Sequence, residues 1–137
     1  MDINFRRVLG FTQLFVAIGA IPAGLTMILE PNGFTIGMST EIFKDTPFND
    51  FLIPGIFLLV VNGLLNLLAS FLTFSKNKYA PAIGITLGIF LILWMLVQVY
   101  FIGLLHFLQV LYLIIGIMET TLSFKLRSIS KIQNLID

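Results

Sequence analysis

The sequence predicts an all-α membrane protein, an antiparallel bundle of four transmembrane helices. Of its 137 residues, 58% are hydrophobic and 11% are charged, and the mean hydropathy is +1.01, which lies outside the range of soluble domains. The stretch from Phe51 to Phe74 contains no charged residue, and as a helix it would cross a hydrocarbon core of roughly 30 Å. Three further apolar stretches of similar length accompany it.

The composition excludes several kinds of site. The net charge is +1, so nothing in the charge balance favours nucleic acid as a partner. Cysteine is absent, which removes disulfides, thiol nucleophiles and thiolate metal ligands. The single histidine, His106, has no second histidine or carboxylate at ligand spacing on its own helix. We therefore expect no metal site and no cofactor in a chain that forms a single transmembrane domain.

The first predicted helix covers residues 8–29. Arg6 and Arg7 precede this apolar run, as basic residues also precede the core of a signal peptide, but such cores are about 7–15 residues long. The run is longer, and Ala20 and Ala23 make only a weak cleavage site. We therefore expect it to be retained as the first span.

The connection over residues 30–50 is unusually apolar for its length. Pro31-Asn32-Gly33 has turn chemistry that ends the first helix. The large apolar side chains of the connection are Phe34, Ile36, Met38, Ile42, Phe43 and Phe48. A freely solvated connector would not carry so many, so we expect this outer loop to fold over the mouth of the bundle or to lie in the headgroup layer.

Three more predicted helices cover residues 51–74, 80–102 and 104–123. The positive loop SKNKY separates the second from the third, and Pro81 stands in the first turn of the third, where a proline is tolerated. Gly103 is the only turn former before the fourth. The cytoplasmic tail over residues 124–137 keeps a helical spacing of isoleucines, which favours an extension of the fourth helix into or along the membrane surface.

Lysine and arginine are distributed unequally between the two ends of the spans. The outer loop holds only Lys44, together with four acidic residues. The other end holds seven basic residues: Arg6, Arg7, Lys76, Lys78, Lys125, Arg127 and Lys131. Because cytoplasmic loops are enriched in Lys and Arg, we predict a multi-pass protein of a bacterial cytoplasmic membrane, with both termini in the cytoplasm.

Small and polar residues within the spans predict which helix faces meet, because they permit close approach and interhelical hydrogen bonds. Their steps of three and four residues predict a continuous seam along the bundle. The expected inner polar cluster comprises Gln13, Asn66, Ser70, Thr86 and Glu119. The expected ligand-binding group at the outer mouth comprises Trp94, Gln98, Tyr100, His106 and Gln109.

Glu119 is the only ionisable residue inside a predicted hydrophobic span, and such a residue is a candidate functional group. Its position near the cytoplasmic end favours a simpler interpretation, in which the side chain reaches water, Lys125 or Arg6. Proton coupling or ligand binding is the alternative.

Other polar positions also have simple interpretations. His106 fits an interfacial residue beside an aromatic belt better than a catalytic base. Asn62 and Asn66 fit interhelical hydrogen bonding.

The segment PNGFTIGMSTEIFKDTPFNDFLIPGIFLLVVNG resembles a signature of small bacterial four-span membrane proteins of unassigned function. The residues that carry the resemblance are Pro31, Gly33, the turn Thr46-Pro47-Phe48, the run from Asp50 to Gly55, and Asn62-Gly63. The resemblance implies a four-helix topology and nominates no catalytic residue. A more distant resemblance is to DoxX-like and sterol-isomerase-like four-helix proteins. The latter use intramembrane acids and a histidine, for which this chain offers only Glu119 and His106.

These observations predict three functions in order of preference. The first is a non-enzymatic protein that binds a lipid or other apolar molecule, or an accessory subunit of a membrane complex. The second is a small proton-coupled transporter acting as a dimer, although small multidrug exporters carry their acid in the first span, where this chain has Gln13. The third is a membrane enzyme of the isomerase type. It is ranked last because no nucleophile, base and orienting group converge by spacing. The expected partners are the lipid bilayer, an apolar ligand, and a membrane protein or a second copy of the chain.

Overall fold

The computed structural model describes residues 2–35, 37–104 and 107–136. Within this part of the chain there are four long helices and no strands: α1 (Asp2–Leu29), α2 (Leu52–Phe74), α3 (Ala80–Ile102) and α4 (Phe107–Ile136). Each helix is long and apolar enough to cross a membrane. The predicted fold class, a four-helix transmembrane bundle, is confirmed, and the chain is a small integral membrane protein.

The helix bounds differ from the predicted ones at one end of the bundle. α1 begins at Asp2, and α4 continues without interruption to Ile136, so the predicted tail is the last part of the fourth helix. α4 has 30 residues and is therefore about 45 Å long, which exceeds a hydrocarbon core of about 30 Å. We call the end of the bundle where α1 begins and α4 ends the terminal end. The opposite end carries the loop over residues 30–50, and we call it the loop end.

Glycines bring the helices together in two closely packed pairs. Between α1 and α2, a Cβ added to Gly24 would lie 2.7 Å from the backbone nitrogen of Leu59. Between α3 and α4, a Cβ added to Gly88 would lie 2.8 Å from the backbone nitrogen of Thr120. Backbones at this separation require small residues, as is usual for helices that pack inside a membrane.

The second helix contains a π-helical segment, Leu58–Leu64. The Leu65 N–H donates to the carbonyl of Val60, five residues earlier. Such segments are rare and are frequently found at functional sites. Here the wider turn holds Asn62 and Gly63, both of which are buried.

The outer loop packs on the helix ends through two phenylalanines. Phe43 and Phe51 are 8% and 3% exposed, and their rings meet edge to face with centroids 4.6 Å apart. The Phe51 N–H donates to the Pro31 carbonyl at 2.9 Å, which closes the loop. Phe34 does not pack on the helix ends, because this side chain is 81% exposed after the turn at Gly33 (φ 82°).

Candidate functional site

A cavity of about 240 Å³ lies between the helices in the half of the bundle nearer the loop. All four helices contribute to this central cavity. Val16 and Ala20 of α1 and Leu91 of α3 form apolar parts of its wall. Its polar and aromatic lining comprises Asn62, Trp94, Gln98, Gln109 and Tyr112. A mostly apolar cavity with a few polar groups is the usual form of a site for a small organic ligand.

Two glutamines join α3 to α4 beside the cavity. The Gln109 Nε2 donates to the Gln98 Oε1 at 3.4 Å, and it also approaches the carbonyl of Gly103 at 3.4 Å. Gln109 is buried and Gln98 is half-buried. The long distances indicate weak hydrogen bonds.

Asn62 presents the most unusual polar group of the cavity. Its side chain is 1% exposed, and neither its amide nitrogen nor its amide oxygen has a hydrogen-bond partner among the described residues. A buried amide without partners costs about 1–3 kcal/mol relative to a paired one. The amide lies beside the cavity, but both of its polar atoms are covered, so a ligand would reach them only after the Asn62 side chain turns toward it.

The predicted ligand-binding residues do not all lie together. Trp94, Gln98 and Gln109 line the central cavity. Tyr100 is not part of its lining, because this side chain is 82% exposed and packs its ring on Phe101. His106 lies outside the described residues.

Sequence reasoning missed two polar residues of the cavity. Asn62 was interpreted as interhelical glue, and the π-helical turn that carries it leaves no mark on residue spacing. Tyr112 lies among apolar neighbours in the sequence, and its hydroxyl faces Gly19 of α1. The one signal in the sequence was Gly19, whose missing side chain leaves room for the Tyr112 hydroxyl.

A smaller apolar cavity of about 110 Å³ lies under the outer loop. Phe43, Phe48 and Phe51 line it from the loop side, and it shares Trp94 and Gln98 with the central cavity. The Trp94 ring is stacked on Phe57 with centroids 4.6 Å apart. The indole therefore lines both the cavity under the loop and the central cavity.

The inner polar cluster lies in the other half of the bundle. Gln13, Asn66, Ser70 and Glu119 are all at most 3% exposed, as predicted for buried members of a cluster. Thr86 does not belong to it. This residue is on an exposed face of α3, and its hydroxyl donates to the carbonyl of Ala82 in the preceding turn.

Two residues outside the predicted set, Thr73 and Ser123, complete the inner polar cluster. The Thr73 hydroxyl donates to the Gln13 Oε1 at 2.8 Å, which ties α2 to α1. A Cβ added to Gly84 would collide with Ser123 and would lie 3.2 Å from the Gln13 Nε2. The cluster therefore joins α1, α2 and α4 beside Gly84 of α3, which has no side chain.

Glu119 is completely buried within this cluster. Its exposure is 0%, and neither carboxyl oxygen has a hydrogen-bond partner among the described residues. The expected contact with Arg6 or Lys125 does not form. The Arg6 guanidinium donates to the Thr73 carbonyl at 3.1 Å, and the Lys125 ammonium lies over the Phe5 ring.

The interfacial interpretation of Glu119 is therefore wrong. Both α1 and α4 extend further toward the terminal end than the sequence predicted. The predicted position of Glu119 near the end of its helix is therefore replaced by one well inside it.

No family model, curated protein or solved structure matches this chain. The resemblances to small four-span proteins and to DoxX-like proteins therefore stay predictions. Within the described residues there is no group of three or more His, Asp or Glu side chains that would hold a metal ion.

Proposed function

We propose that this protein binds a lipid or another apolar molecule in the central cavity, without catalysing a reaction. The observation that supports the proposal is a cavity of about 240 Å³ that lies within the four-helix bundle. Its walls are mostly apolar, as in many ligand sites. The outer loop lies over the same end of the bundle and contributes an aromatic cover.

The polar groups of the cavity indicate what kind of molecule would fit. Val16, Ala20 and Leu91 offer an apolar surface for a hydrocarbon body. The unpaired amide of Asn62 offers one donor and one acceptor to a hydroxyl, carbonyl or amide group of the ligand. No charged side chain lines the cavity among the described residues, so the proposed ligand is neutral in the part that enters.

Asn62→Leu is expected to reduce the amount of apolar ligand that is retained through purification. The substitution removes the polar anchor and keeps the same number of side-chain heavy atoms. Loss of one buried hydrogen-bonded group of about 1–3 kcal/mol corresponds to a loss of affinity of roughly five- to 150-fold. Solvent extraction of the detergent-purified protein and mass spectrometry would measure the retained molecules.

The matched control is Thr86→Val, which removes a polar group from an exposed face away from the cavity. Gln98→Leu should weaken retention as Asn62→Leu does, because Gln98 is another polar group of the cavity lining. A parent protein that retains no molecule, or equal losses from Thr86→Val and Asn62→Leu, would contradict the binding proposal.

A second candidate function is a small proton-coupled transporter that acts as a dimer. The observation that favours it is the buried carboxyl of Glu119, which has no partner among the described residues. Intramembrane carboxyls of this kind mark proton and substrate paths in transporters. Proton-driven flux that depends on Glu119 is the property that separates the two candidates.

We further propose that both termini face the cytoplasm of a bacterial cell, with the outer loop outside. The support is the seven-to-one distribution of lysine and arginine between the two ends. Cysteine introduced at Lys44 is expected to react with an impermeant thiol reagent in intact cells, whereas cysteine at Lys78 is expected to react only after lysis. Both positions are exposed, so the opposite labelling pattern would reverse the orientation.

A further inference from the structure

A polar pocket of about 400 Å³ lies at the terminal end, on the far side of the bundle from the central cavity. Three elements form it: the start of α1, the connection between α2 and α3, and the last turns of α4. Its lining residues are Arg6, Lys76, Asn77, Lys78, Pro81, Ser130, Gln133 and Asn134. We call it the terminal pocket. Its described lining contains three cations and no carboxylate.

The backbone of the short connection holds two of these cations in place. Lys76 has a left-handed backbone with φ 60°, which is uncommon for a residue other than glycine. The Lys76 N–H donates to the Thr73 carbonyl at 3.2 Å, and the Asn77 N–H donates to the Leu72 carbonyl at 3.0 Å. The turn is therefore hydrogen-bonded to the end of α2, and both lysine stems start from ordered backbone.

Arg6 is fixed to the same turn from α1. Its Nη1 donates to the Thr73 carbonyl at 3.1 Å, next to the backbone that supports Lys76. The guanidinium has five donors, so this bond leaves most of them available. The extended α4 places Ser130 and Asn134 on the opposite wall. Basic groups and neutral hydrogen-bonding groups thus face one space.

We propose that the terminal pocket binds the phosphate group of an anionic membrane phospholipid. Arginine and lysine bind phosphate oxygens through charge-assisted hydrogen bonds. The N-terminus of α3 begins at Ala80, beside the pocket, and adds the positive end of its dipole. Basic pockets between transmembrane helices are known to accept anionic headgroups at this depth.

The surroundings of the terminal pocket support a lipid as the source of the phosphate. The pocket lies where the apolar spans give way to polar residues, which is the level of the headgroups. Phe74 and Tyr79 are exposed beside it, with 41% and 60% of their surface accessible. Acyl chains of a lipid whose phosphate is held in the pocket would lie along this apolar surface, which a soluble phosphate ester would not use.

The test is a binding titration in neutral detergent, followed by native mass spectrometry. The probes are dioleoylphosphatidylglycerol, dioleoylphosphatidylcholine and glycerol phosphate. The parent protein is expected to bind phosphatidylglycerol at least tenfold more tightly than phosphatidylcholine. Lys76→Asn combined with Lys78→Gln should weaken phosphatidylglycerol binding by about thirtyfold, since each lysine contributes on the order of 1 kcal/mol. Asparagine is chosen at position 76 because it tolerates a left-handed backbone.

The matched control is Arg127→Gln combined with Lys131→Gln, which removes the same charge from exposed positions outside the pocket. This control should keep the parent affinity, and Lys76→Arg combined with Lys78→Arg should keep the preference for phosphatidylglycerol. Equal affinity for the two lipids, or equal losses in the pocket and control variants, would overturn the site. Binding of glycerol phosphate as tight as that of the lipid would overturn the assignment to a membrane lipid.

Discussion

Gly88→Leu is expected to destabilise the bundle by about 3 kcal/mol or more, which places it at or beyond the upper end of the usual cost of overpacking. A Cβ at position 88 would lie 2.8 Å from the backbone nitrogen of Thr120 and 3.1 Å from its Cα. Because these are main-chain atoms, no side-chain rotation relieves the contact, and α3 has to move away from α4. The separation would also disturb the walls of the central cavity.

Thermal unfolding in detergent, followed by circular dichroism, measures this effect, and a loss of this size lowers Tm by on the order of 10 °C. Ala82→Leu is the matched control, because this residue is on the same helix but exposed. The control is expected to leave Tm within a degree or two. Similar Tm values for Gly88→Leu and the parent would show that the two helices do not pack as described.

Glu119→Gln is expected to raise the free energy of unfolding by about 1–3 kcal/mol. The buried carboxyl has no hydrogen-bond partner among the described residues, and an unpaired buried polar group is destabilising, more so when it is charged. Glutamine has nearly the same shape, and its amide both donates and accepts. The amide is also neutral, so the variant never buries an unpaired charge.

Gln13→Leu provides a contrasting variant, since it breaks the hydrogen bond from Thr73 and should lower Tm. If Glu119→Gln lowered Tm instead, the carboxyl would have to be stabilised by a ligand or a cation that glutamine does not retain. Measurements of proton-driven flux in proteoliposomes and of ligand retention distinguish the two candidate functions. The transporter candidate requires proton-driven flux that Glu119→Gln abolishes, whereas the binding candidate requires that the variant still retain the apolar ligand.

The number, order and approximate extent of the helices follow from the sequence alone. Hydrocarbon thickness imposes a minimum length on any span, and charge-free stretches of that length are visible without knowledge of the fold. The buried positions of Gln13, Asn66, Ser70 and Glu119 could also be predicted. Polar groups in a membrane are costly when they face lipid, so most of them face other helices.

Only the tertiary structure decides which polar residues share a space. Thr86 was assigned to the inner polar cluster and is exposed, whereas Thr73 was not assigned and is buried. Hydrophobic residues are spread around all sides of α3, so its sequence carries little signal for the face that meets its neighbours. The π-helical turn changes the direction in which the Asn62 side chain points, and no spacing of residues in the sequence marks this turn. The central cavity arises because four helices with small residues pack closely in pairs and less closely between the pairs, which is a property of the assembled bundle and of no single segment.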